Sequence, residues 1–264
     1  KAINSLGTPA TPMHPHEKLL PTFNHQEANY LDYKRDKLLH RLYSREGPCV
    51  AVGDVNGDQL EDFYVGGAKG QCGALYLQNS QGFNLSDQPA LYAQTEQEET
   101  DAVFLDVDQD GDNDLIIVSG SNEFSQEQSI INCRLFTNNG AGKFSYDPAG
   151  TPPIRDFIGT IAAEDFDNDG DKDLFLGGRM VPGKYPLIPK SYLLENRKGK
   201  FVEVTSTLAS GLANAGMITS AIWADYDKDN DLDLILTGEW MGVKIFDNVA
   251  GQLTASKKHL GFEA

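Results

Sequence analysis

The sequence predicts an all-β fold: a β-propeller of four-stranded antiparallel blades, four of which are visible. Three observations predict it. A nine-residue Asp-rich loop recurs with its first Asp at 54, 106, 165 and 225, intervals of 52, 59 and 60 residues. Short β-branched and aromatic runs, bounded by Gly, Asn and Asp, flank every loop. No stretch shows sustained helical periodicity. Four strands repeated at such a period is the pattern of propeller blades, which bury their faces by stacking on one another.

Residues 1–46 precede the repeats and hold four of the five His. Pro9, Pro12, Pro15 and Pro21 break any early helix. The segment reads as a polar, partly extended arm, with one short strand near Leu20–Asn24 and a helical turn near Lys37–Leu42. His14 and His16 lack a partner at zinc-like spacing, so the arm is not read as a zinc site.

Residues 47–264 read as the propeller, with blades at about 47–87, 101–147, 158–206 and 218–257. Each begins with a short strand: Val50-Ala-Val, Val103-Phe-Leu, Ile161-Ala-Ala or Ala221-Ile-Trp. The Asp loop follows. A second strand leaves it at once, from Phe63, Leu115, Leu174 and Leu234. A third runs from Ala74, Arg134, Ser191 and Val243 to a turn opened by Asn79, Asn139, Asn196 and Asn248. A fourth begins at Phe83, Phe144, Phe201 and Leu253.

The loops place oxygen side chains at positions 1, 3, 5 and 9: Asp54, Asn56, Asp58 and Asp62; Asp106, Asp108, Asp110 and Asp114; Asp165, Asp167, Asp169 and Asp173; Asp225, Asp227, Asp229 and Asp233. Carboxylates packed this closely repel one another unless a cation sits among them. Hard oxygen donors without His or Cys point to Ca²⁺, with four sites expected. Position 7 is expected to offer its backbone carbonyl, from Leu60, Asp112, Asp171 and Asp231; a Leu is tolerated there for that reason. Gly57, Gly111 and Gly170 are expected to permit the curl. An EF-hand needs Glu at position 12 and flanking helices. Position 12 here is Val65, Ile117, Leu176 or Leu236, inside a strand.

The formal net charge is −17, and 19 of the 39 acidic residues lie in the four loops. The acidity is thus local, and four Ca²⁺ would neutralise about half of it. Phosphate-backbone binding runs on clustered Lys and Arg, so no nucleic-acid partner is expected. No apolar run approaches the roughly 20 residues that span a bilayer. The chain opens at Lys1 with no visible signal peptide and reads as a mature or truncated form. Cys49, Cys72 and Cys133 leave two readings open: a Cys49–Cys72 pair, or three thiols.

The loop followed by an apolar strand ending in Gly, as in Asp62-Phe-Tyr-Val-Gly-Gly and Asp173-Leu-Phe-Leu-Gly-Gly, resembles the FG-GAP or VCBS-type repeats of integrin α-chain propellers. The likeness covers about residues 47–256. More narrowly, Ser44-Arg-Glu-Gly-Pro48, Val50-Ala-Val-Gly-Asp-Val-Asn-Gly-Asp58 and Gly238-Glu-Trp-Met241 are similar to bacterial VCBS-repeat proteins of the cartilage-acidic-protein type. The resemblance implies a propeller, often seven-bladed, with Ca²⁺ in the first hairpin of a blade. It also implies adhesion, recognition or scaffolding at or beyond the cell envelope. Only four repeats are clear here. Either the chain is a piece of a larger ring, or it closes in another way; a half ring would expose apolar blade faces and self-associate to cover them.

In an up-and-down blade the Asp loop and the Asn/Gly turn lie on one rim. The links between strands two and three, and between blades, lie on the other. Most of those links are long, and they carry Phe124, Arg155, Arg179, Tyr185, Glu239 and Trp240. Long loops on a rigid scaffold are where recognition usually sits. The expectation is a calcium-stabilised extracytoplasmic module that binds a protein or glycan through this second rim. The alternative is a carbohydrate-active lyase or hydrolase with Glu123, Glu239 and Arg179 in its site. No catalytic motif is visible, and the loop acids are committed to metal, so the chain is not read as an enzyme.

Overall fold

The computed structural model describes residues 22–93, 95–124 and 130–257. It is built almost wholly from strands, as four sheets of four, each antiparallel and in chain order. Blade 1 holds β1 (Val50–Gly53), β2 (Asp62–Val65), β3 (Ala74–Asn79) and β4 (Gly82–Ser86). Blade 2 holds β5 (Glu99–Leu105), β6 (Asp114–Ser119), β7 (Cys133–Thr137) and β8 (Ser145–Asp147). Blade 3 holds β9 (Phe157–Glu164), β10 (Asp173–Met180), β11 (Tyr192–Asn196) and β12 (Phe201–Glu203). Blade 4 holds β13 (Met217–Ala224), β14 (Asp233–Glu239), β15 (Lys244–Val249) and β16 (Gln252–Ala255). Two single-turn helices, α1 (Pro89–Tyr92) and α2 (Thr205–Leu208), sit in links after fourth strands.

Side-chain alternation in the second strands explains the stacking. Along β6, Leu115 and Ile117 join a buried cluster with Tyr64 and Leu75 of blade 1. Ile116 and Val118 join another with Ile158, Leu174 and Leu176 of blade 3. Phe175, between the last two, packs with Ile218, Trp223, Leu234 and Phe246 of blade 4. A strand buried on both faces reads as a continuous apolar run, which is why β6 and β10 are buried along their whole length. Blades 1 and 4 each bury one face only. Val50, Val52 and Leu85 of blade 1 and Ile222 of blade 4 are more than half exposed. The four sheets therefore do not close on one another, and the exposed apolar faces expected of a half ring are present.

Three expectations are corrected. The first strands of blades 2, 3 and 4 are seven or eight residues long, because they begin at the far rim rather than at the apolar triplet. The helical turn of the arm is a 3₁₀ turn at Asp32–Lys34, with Asp32 buried, and lies earlier than Lys37–Leu42. Leu20 and Pro21, like His14 and His16, lie outside the described residues, and 22–24 carry no strand. Of the two readings left open for cysteine, the thiol one holds: Cys49, Cys72 and Cys133 are free.

The arm is packed rather than merely extended. Tyr43, Asp32 and Ser44 have no exposed surface. Asp32 accepts from the Ser44 hydroxyl at 2.6 Å and from its N–H at 3.1 Å, closing the segment on itself. Leu39 and Tyr43 then pack on Phe157 and Met180 of blade 3.

Candidate metal loops and a cleft on the opposite rim

The four Asp loops join first and second strands, and the position-9 Asp opens each second strand. It pairs with the residue just before the loop: Gly53 with Asp62, Leu105 with Asp114, Glu164 with Asp173 and Ala224 with Asp233. Inside the loop the hydrogen bonds repeat. The position-1 carboxylate accepts from the position-6 N–H at 2.7–3.3 Å in all four: Asp54 from Gln59, Asp106 from Gly111, Asp165 from Gly170 and Asp225 from Asn230. Position 5 accepts from position 7: Asp58 from Leu60, Asp110 from Asp112, Asp169 from Asp171 and Asp229 from Asp231. In three loops position 3 accepts from position 5, through Asn56, Asp108 and Asp167.

The curl needs two left-handed residues per loop, at positions 4 and 6. These are Gly57 and Gln59, Gln109 and Gly111, Asn168 and Gly170, Lys228 and Asn230, with φ between 62° and 98°. The three glycines picked out in the sequence thus occupy two different positions. The fourth loop uses none, and accepts the cost of a side chain at positive φ twice.

Ligand atoms converge within 4.8 Å for Asp106, Asp108 and Asp110; for Asp165, Asp167 and Asp173; and for Asp225, Asp227 and Asp229. Asp106 keeps one buried oxygen with no hydrogen-bond partner. Burial pushes the Asp173 carboxyl up to about 7 and that of Asp114 up to about 6, with neighbouring Asp charges adding to it against the N–H bonds that pull down. An all-oxygen donor set, an orphaned buried oxygen and carboxylates resisting ionisation fit a hard divalent cation. These clusters can hold metal ions. Two of the position-7 carboxylates turn away from their own loops, Asp171 towards Gln109 of the preceding loop and Asp231 towards Asn168 of the preceding loop and Ala250 in the last turn of its own blade.

The position-9 Asp has a second role that spacing alone did not reveal. It is buried in every loop. One oxygen accepts from the position-2 N–H of its own loop: Val55, Val107, Phe166 and Tyr226, at 3.1–3.4 Å. The other accepts from the end of the third strand: Gln78, Asn138, Asn196 and Asn248, at 2.7–2.8 Å. The three Asn at this place reach on to the preceding blade. Asn138 donates to the Val55 carbonyl, Asn196 to Val107 and Asn248 to Phe166, at 2.7–2.8 Å. The recurrent Asn of blade 2 is thus Asn138, one residue before Asn139, and Gln78 rather than Asn79 is its counterpart in blade 1.

Among the described residues the opposite rim shows no such repeated pattern. The arm covers part of it. Arg179 is the next-to-last residue of β10, not a loop residue, and is 1% exposed. It donates to Glu46 of the arm at 3.1 Å and to Glu239 at 3.0 Å, with its guanidinium over the Tyr43 ring. Tyr43 also donates to Glu239, and Tyr185 does so at 2.7 Å. Burial pushes the Glu239 carboxyl up, but bonds from Tyr185, Tyr43 and Arg179 outweigh it and hold it down at about 2. Phe124 is buried beneath Lys69, and Glu123 pairs with Lys69 at 2.8 Å. Arg155 is exposed. Of the residues expected to meet a partner, Arg179 is buried and pairs with Glu239, while Tyr185, Glu239 and Trp240 come together at a cleft.

They line a cleft of about 530 Å³ with Met217, Met241 and Lys244. Trp240 is 77% exposed, sits at φ 58° in the turn after β14, and donates from its indole to the Tyr185 hydroxyl at 2.6 Å. A bulky residue held at positive φ is strained, and such strain gathers at binding sites.

Residues 54–117 and 106–176 match the family model of the FG-GAP-like repeat, so this stretch carries FG-GAP-like repeats. The fourth loop lies beyond the matched residues yet repeats their hydrogen bonds. No protein of curated function matches the sequence. Among solved structures, an Agrocybe aegerita lectin described as recognising non-reducing terminal N-acetylglucosamine aligns with 77% of this chain and 50% of its own, at 17% identity and TM-score 0.51. The chain thus spans about half the length of that lectin and shares its fold. A V. cholerae biofilm matrix protein aligns with 78% of this chain and 30% of its own, at 14% identity and TM-score 0.37. Among the described residues no helix is long and apolar enough to cross a membrane.

Proposed function

We propose that this chain, whose residues 54–176 carry FG-GAP-like repeats, is an extracytoplasmic recognition module braced by calcium on one rim and binding a glycan on the other. The observation that carries the reading is the cleft beneath Trp240. An exposed indole offers a flat apolar face to the C–H side of a sugar ring. Beside it the Glu239 carboxylate, fixed by three donors, and the Lys244 ammonium offer an acceptor and a donor to hydroxyl groups. Calcium would be held by positions 1, 3, 5 and 9 of each loop with the position-7 carbonyl, and would supply charge neutralisation and rigidity. Constants of roughly 10⁻⁴–10⁻³ M serve extracellular modules, which suits such a place.

The enzyme reading is weaker. Glu239 is held ionised by Arg179 and two tyrosines, which disfavours it as a proton donor at neutral pH. Glu123 sits apart with Lys69. A glycan array that includes N-acetylglucosamine-terminated chains tests both readings. Binding without turnover, weakened about tenfold or more by Trp240→Ala with the melting temperature unchanged, is expected. Product formation would favour the enzyme. Binding indifferent to Trp240 would remove the cleft as the site.

A further inference from the structure

The covered rim holds a second cluster that the Trp240 cleft does not use. We propose that His25 and Glu98, with Glu27 steering the imidazole, bind one divalent transition-metal ion of the zinc class, which fastens the arm to the link entering blade 2. One ligand atom from each of the three lies within 4.8 Å of the others. His25 and Glu27 belong to the arm. Gln71 of blade 1 holds that stretch in place, accepting from the Gln26 N–H at 2.8 Å and donating to the Asn24 carbonyl at 2.9 Å. Glu98 stands just before β5 and has no exposed surface.

Three features point to a missing cation. His25 Nε2 lies 3.1 Å from a Glu27 oxygen, the arrangement of a ring N–H donating to a carboxylate. In that tautomer Nδ1 carries a bare lone pair, and it is buried with no hydrogen-bond partner. A carboxylate orienting one ring nitrogen while the other faces a metal is a recurrent arrangement for ligating imidazoles. Second, the charges do not balance. Glu27 and Glu123 both act on Glu98. Lys69, the ammonium that the described residues place beside them, pairs with Glu123. The Glu123 side chain is 6% exposed, and its other oxygen is buried without a partner. Third, there is room. A Cβ on Gly47 would stand 2.8 Å from a Glu98 oxygen and 3.6 Å from His25 Cε1, so the absent side chain keeps the space between them clear. One imidazole with carboxylates suits zinc and its neighbours, whereas calcium takes oxygen ligands.

The test titrates Zn²⁺ into the full chain by calorimetry, with excess Ca²⁺ present to fill the Asp loops. The expected result is one Zn²⁺ per chain and a higher melting temperature on binding. Affinity should fall about 10–100-fold in His25→Ala and in Glu98→Gln and stay unchanged in Asp110→Ala. X-ray absorption at the zinc edge of the unaltered protein, which depends on no variant folding, should show nitrogen and oxygen neighbours including an imidazole. No Zn²⁺ bound under excess Ca²⁺, binding that His25→Ala leaves intact, or a zinc shell without imidazole would overturn the proposal.

Discussion

On one rim, four loops repeat the same hydrogen bonds, and each position-9 Asp ties its loop to the end of a third strand. On the other, the described links differ from one another, and the arm inserts Tyr43 and Glu46 among residues of blades 3 and 4. The first rim gains order from many small, local, identical contacts. The second gains it from one cluster of charges assembled from distant parts of the chain. The contrast teaches that repetition in a solenoid-like array carries stability, whereas departure from repetition carries the capacity to discriminate.

The sharpest way to break the contrast is to remove one clamp. Asp173→Ala strips the buried backbone partners of Phe166 and Asn196 and should cost about 3–5 kcal/mol in urea unfolding, even in chelator. Asp169→Ala, on the exposed part of the same loop, should cost stability only when Ca²⁺ is present. Equal losses for the two in chelator would mean that the clamp is not structural.

On the opposite rim, Arg179→Met leaves the Glu46 and Glu239 carboxylates facing each other, at a similar cost of about 3–5 kcal/mol. Acid should act there too. The folded-state value of Glu239, about 2, lies below the ordinary glutamate value near 4.3. Its contribution is therefore complete above that ordinary value and is lost as pH falls towards 2. Melting temperatures of Glu239→Gln should decline less over this window than those of the unaltered chain; parallel decline would discount the cluster.

Chelation comes next. Removal of millimolar Ca²⁺ should lower stability by about 0.4–1.4 kcal/mol per filled site, read by calorimetry. An unchanged transition would empty the loops of their role. The smallest effect separates the stapling residues themselves. Asn196→Ala leaves the Val107 carbonyl unpaired and should cost about 1–2 kcal/mol, whereas Gln78→Ala, which reaches no preceding blade, should be nearly neutral. Equal losses would show that the cross-blade amide adds nothing.

Much of the first rim was legible because its information is local. Donors at fixed offsets within nine residues announce both a curl and a charge problem. What stayed hidden depends on register. That Asp62, Asp114, Asp173 and Asp233 grip the third strand, and that Asn138 rather than Asn139 is the working amide, becomes visible only once strands are paired. The second rim was legible in place but not in detail. Strand parity put Arg179, Glu239 and Trp240 on it. Whether a side chain there is free or consumed depends on the arm, whose contact with Arg179 joins residues far apart in the chain. Polar composition suggested a partly extended arm, yet Tyr43 and Asp32 are fully enclosed.

The cross-blade amides also set how damage spreads. Each couples a loop to the sheet that follows it, and each reaches a single neighbour. An injury to one hairpin is therefore felt next door and fades two doors away, as in a row of dominoes spaced so that each touches only the next.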